Sequence, residues 1–104
     1  INLQFMPYWE VLTAEDAKEL LKSGSKMPES MPGHAQEFET SMAMHLFSKN
    51  VRKGALADQS DPTPAMATAE AGAEFVNRIV DRVAVKLKDM IDGKNVAGIP
   101  PFHP

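Results

Sequence analysis

Apolar and polar residues alternate from the first position: Ile1, Leu3 and Phe5 share one parity, Asn2 and Gln4 the other. A period of two marks a strand with one buried face, so residues 1–5 are expected to pair into a sheet. Pro7 removes a ladder donor and ends the pairing. Thr13 then reads as a helix N-cap, with Glu15 and Asp16 where the positive helix end favours carboxylates. A short helix over 14–22 follows, burying Ala17, Leu20 and Leu21, and Ser23-Gly24-Ser25 stops it. Beyond a loop over 23–33 rich in Pro and Gly, Ala35, Phe38, Met42 and Leu46 recur at spacings of three and four, with Met44 and Phe47 beside them. That pattern predicts a second helix over 34–48. Residues 52–67, with Ser60-Asp61-Pro62-Thr63-Pro64 as turn chemistry, read as an exposed, mobile loop. The clearest element is a third helix over 68–91. There Phe75, Ile79, Val83 and Leu87 recur every four residues, flanked by Val76, Val80 and Met90. Its acidic residues Glu70 and Glu74 come early and its basic residues Arg78, Arg82, Lys86 and Lys88 late, which complements the helix dipole. Asp92-Gly93 terminates it, and a proline-ending tail closes the chain.

One strand has no partner within this pattern, so either further strands come from another polypeptide segment or residues 1–5 do not form one. The opening at Ile1, without an initiator Met or a cleavage signal, reads as a processed or truncated chain. Composition narrows the class. The chain has 104 residues, 43% hydrophobic and 24% charged, as in one small globular domain. A net charge of −3 leaves no electrostatic footprint for nucleic acid or an anionic membrane. No apolar run approaches the roughly 20 residues of a bilayer span. Without cysteine there is no disulfide, thiolate metal site or thiol nucleophile, which fits a reducing, cytoplasmic setting. The seven methionines read as core filler.

The informative run is Pro32-Gly33-His34-Ala35-Gln36-Glu37-Phe38-Glu39-Thr40-Ser41. A Pro-Gly turn delivers a histidine to the first turn of the expected helix, where the positive dipole end disfavours a second proton and the imidazole suits proton transfer. Glu37, three residues on, is placed to hold the ring in one tautomer, and Glu39 projects elsewhere. The plainer reading is capping and surface. His34 and Glu37 alone are too few ligands for a zinc site. His45 reads as a partly buried helix residue and His103 as an incidental tail residue. Tyr8-Trp9 lies just past the expected strand, where α/β folds line a ligand crevice, although such a pair also serves as packing. No Gly-x-Ser-x-Gly elbow or Gly-rich phosphate cradle occurs.

Gly33-His34-Ala35-x-Glu37-x-Glu39-Thr40-Ser41 resembles a Gly-His-Ala-Gly-Glu-x-Glu-Thr-Ser segment of the creatininase family of amidohydrolases. Pro7-Tyr8-Trp9 is similar to a Ser-Tyr-Trp upstream of it. Asp61-Pro62 with Ala67-Thr68-Ala69-Glu70-x-Gly72 is similar to the entry into the family's last helix. The three matches keep the family's order and correspond to the C-terminal portion of members more than twice this length. The resemblance implies that residues 1–104 are the C-terminal segment of one α/β domain. Its fold is a three-layer α/β/α arrangement with a mainly parallel sheet, of which this chain holds one or two strands and three helices. It further implies a metal-dependent hydrolase of cyclic amides or related C–N bonds, often hexameric. Its zinc or manganese ligands are expected outside this chain, on an N-terminal part of the same domain or on a separate chain. His34 matches the proton-shuttling histidine and Glu37 a glutamate found in many members. Glu39-Thr40-Ser41 match a supporting stretch, and Tyr8, Trp9 and Met31 fall in the substrate pocket. Ser30-Met31 stand where creatininase has a Trp-Asp pair that holds creatinine, so another amide or a formamide is the expected substrate. The contrasting reading is a non-catalytic helical interaction subunit.

Overall fold

A computed structural model of the chain describes residues 3–23 and 33–94. Three α-helices carry it: α1 (Ala14–Leu20), α2 (Glu37–Leu46) and α3 (Ala69–Ile91). Short 3-10 turns at Tyr8–Val11, Ser48–Asn50, Lys53–Asp58 and Thr63–Met66 join them. Among the described residues there is no strand and no sheet, which overturns the expected α/β fold with a parallel sheet. The alternation in residues 3–5 is real, but a strand exists only as part of a ladder, and the described residues offer no second strand. The parity of that segment is also the reverse of the expected one. Leu3 and Phe5 are 88% and 92% exposed, whereas Gln4 and Met6 are half-buried and line a small cavity together with Val83, Lys86, Leu87 and Met90 of α3.

The helices follow their local chemistry. Thr13 caps α1 as expected: its hydroxyl accepts the Asp16 amide, and the Asp16 carboxylate accepts the Thr13 amide at 2.6 Å. Thr68 caps α3 by accepting the Ala71 amide. The second helix begins at Glu37 rather than His34, because Ala35 adopts a left-handed backbone (φ 53°) that no α-helix accommodates. Residues 52–67 are likewise not the open loop their composition suggested. They fold into two 3-10 turns, and Pro64 is buried.

The core is small: Leu12, Ala17, Leu21, Phe38, Phe75 and Ile79, with Trp9, Val11, Leu20, Met42 and Val83 packed against it. Phe38 and Phe75 meet edge to face, 4.8 Å between centroids, and fix α2 on α3. The two helices come closest at Gly72, where a Cβ would fall 1.9 Å from the Ser41 carbonyl oxygen. The fully buried Ser41 hydroxyl accepts the Thr68 amide at 3.2 Å, so α2 also holds the start of α3. One buried carboxylate, Asp16, gathers Arg78 and Arg82 of α3 and ties α1 to that helix. The apolar face of α3 is only half used: Val80, Ala84, Leu87 and Ile91 fall on one exposed stripe. Among the described residues no helix is long and apolar enough to cross a membrane.

Candidate functional site

The residues singled out by sequence divide into a cluster that converges and a pair that does not. His34 stands in the turn before α2, between Gly33 (φ 63°) and Ala35 (φ 53°). A left-handed alanine is costly, so something must hold it. Glu39 does: its carboxylate accepts the Ala35 amide at 2.7 Å, and Thr40 donates its hydroxyl to the Ala35 carbonyl at 3.4 Å. The same carboxylate lies 4.0 Å from His34 Nδ1. The imidazole itself is fully exposed. The turn thus presents the ring outward while its base is fixed from α2.

Tyr8, on the neighbouring 3-10 turn, packs on the core side of the same region. Its ring lies edge-on to Trp9 at 5.1 Å and stacks toward Phe38 at 6.5 Å. Burial first, and the nearby Glu39 charge second, push the Tyr8 phenol up, so it stays an O–H donor. His34 and Glu39 therefore place an imidazole and a carboxylate at one turn, with the Tyr8 phenol within reach of the Glu39 charge. That set can take up, hold and pass on a proton.

Glu37 and Trp9 serve elsewhere. The expectation that Glu37 orients His34 fails: its carboxylate is buried and accepts the Lys22 and Ser23 amides at 2.6 and 2.9 Å. The reason is the helix start. With α2 beginning at Glu37, that side chain is directed back to the exit of α1, and Glu39, two positions on, faces the His34 turn. Glu37→Ala is expected to cost about 1–3 kcal/mol in chemical denaturation, because two amides lose their acceptor. Trp9 packs against the core, with Nε1 buried and unpartnered among the described residues. Met31 and His103 lie outside the described residues, and His45 is exposed rather than partly buried.

Sequence reasoning missed two features. The Asp16 cluster joins residues 62 and 66 positions apart, which no local pattern reveals. A cleft of about 450 Å³, lined in part by Ala35, Glu39 and Thr40, opens between α2 and the 3-10 turns of residues 48–66. Among the described residues no three His, Asp or Glu side chains converge as a metal-binding group, so these residues do not fit a zinc or manganese site by themselves. No family model, curated protein or solved structure matches this chain.

Proposed function

We propose that this chain supplies the proton-transfer face of a metal-dependent hydrolase acting on a cyclic amide or a related C–N bond. The observation that carries the reading is the His34 turn. A strained backbone is held by Glu39 and Thr40 while the imidazole stays fully exposed, which supports a role for the turn in presenting the ring. In the reaction water adds across the C–N bond; the bond to nitrogen breaks, and His34 delivers the proton that the leaving nitrogen requires. Glu39, 4.0 Å from Nδ1, steadies the charged ring, and the protonated Tyr8 phenol offers a further donor. The divalent metal, zinc or manganese, belongs in this reading to an N-terminal part of the same domain or a companion chain that covers the His34 side. The assembly is a cytoplasmic homo-oligomer, with a hexamer as the expected form.

His34→Ala tests the reading in the intact protein. Because the side chain is fully exposed, stability is expected to stay within about 0.5 kcal/mol. Turnover of a cyclic amide or formamide is expected to fall about 10²- to 10⁴-fold. Undiminished turnover removes His34 from the chemistry.

A second reading, a non-catalytic helical interaction subunit, draws on the exposed stripe Val80, Ala84, Leu87 and Ile91. It expects Leu87→Asp to dissociate the assembly, measured by sedimentation, and no C–N hydrolysis in the unaltered protein.

A further inference from the structure

We propose that the cleft beside Glu39 is a binding site for a small organic carboxylate with an apolar body. Its volume, about 450 Å³, lies in the range of small-molecule sites. Ala43, Val51, Leu56 and Pro64 give it apolar walls, and Pro64 is buried while the other three are half-buried. At the exposed edge stands Arg52, which makes no ion pair among the described residues. Lys49 and Lys53 flank Arg52 in sequence, equally without an acidic partner there. In a chain of net charge −3 this is a local concentration of unanswered cations. The acidic group that lines the cleft, Glu39, is already engaged by the Ala35 amide and faces His34. That hydrogen bond leaves the Glu39 charge in place, but Arg52 with Lys49 and Lys53 outnumbers it, so the Arg52 edge is net positive and its complement is an anion. A guanidinium receives a planar carboxylate through two parallel N–H bonds, which favours a carboxylate over a halide. Apolar walls with a cation at the edge select a molecule with an alkyl or aryl body and a carboxylate end. The site uses neither the His34 ring nor hydrolysis, so it goes beyond the proton-transfer reading and stands without it.

The experiment is a titration of the intact, isotope-labelled protein with hexanoate and, as the neutral analogue, hexanamide, followed by NMR. Hexanoate is expected to give saturable shifts at Ala43, Val51 and Leu56, with hexanamide at least tenfold weaker. Arg52→Gln is expected to weaken hexanoate about tenfold and leave hexanamide unchanged. Arg52 is exposed, so this variant keeps the fold. Ala43→Leu, which fills the cleft, is expected to abolish both, and unfolding of that variant would leave the Arg52 comparison decisive. His34→Ala is expected to bind hexanoate as before, so loss of turnover and loss of binding report separately. The proposal is overturned if hexanoate does not saturate, if it binds no better than hexanamide, or if Arg52→Gln leaves its affinity unchanged. Shifts that depend on protein concentration rather than on hexanoate would assign the cleft to self-association and equally overturn it.

Discussion

Replacing Gly72 with alanine is expected to destabilise the protein by about 3 kcal/mol or more. On an exposed helix the same change would gain about 1 kcal/mol, since alanine loses less backbone freedom than glycine. Here the sign reverses. The new Cβ would sit 1.9 Å from the Ser41 carbonyl oxygen and 2.5 Å from its carbonyl carbon, and these are backbone atoms that no rotamer change can move aside. Relief requires α2 and α3 to separate, which loosens the Phe38–Phe75 contact and the Ser41–Thr68 hydrogen bond together. A loss of that size in a domain of this length lowers the melting temperature by more than about 10 °C, within easy reach of calorimetry. A Gly72→Ala protein as stable as the original would mean that the two helices do not approach as described.

Asp16→Ala is the second large effect, at about 2–4 kcal/mol by denaturant titration. The carboxylate is buried and accepts from Arg78, Arg82, the Thr13 amide and the Thr13 hydroxyl. Its removal leaves Arg82 with the Val11 carbonyl, while Arg78 keeps Glu19 and Glu74. Both guanidiniums retain partial access to water, so the loss falls below that of a fully buried pair. The cluster also sets an acid response. The Arg82 hydrogen bond, opposed by burial and reinforced by Thr13 and Arg78, holds the Asp16 carboxyl well below the usual carboxylate range. A carboxyl depressed on folding contributes stability that is fully present above its unfolded value near 4 and is lost as pH falls through the lower folded value. The protein is therefore expected to weaken progressively below about pH 4. The acid slope should be visibly shallower in Asp16→Asn, which cannot ionise. An identical slope in that variant would place the acid sensitivity elsewhere.

The helices were legible because their information is local. Thr13 with Asp16, Thr68 ahead of an apolar repeat, and Phe75 and Ile79 four apart each act within a turn or two of chain, where hydrogen bonds and side-chain stacking repeat with the helical period. The strand was misread for the complementary reason. Alternation at Leu3, Gln4 and Phe5 describes a surface with two sides, but whether it becomes a strand depends on a partner supplied from elsewhere. The His34 run was recognisable as unusual, yet its geometry was not. Nothing in Gly33-His34-Ala35 announces that alanine will take a left-handed backbone, and that single residue moves the start of α2 and exchanges the roles of Glu37 and Glu39.

The amino-acid order alone thus determined three helices, two of them capped by the threonines that precede them, the polarity of their charges and a histidine placed just ahead of the second. Only the tertiary structure decided which carboxylate meets that histidine, that Tyr8 feels the charge of that carboxylate, that Asp16 gathers two arginines from α3, and that a cleft opens beside Glu39. Caps and periods are energies between neighbours in sequence, whereas each of these juxtapositions depends on helices brought together by a few buried contacts at Gly72, Phe38 and Phe75.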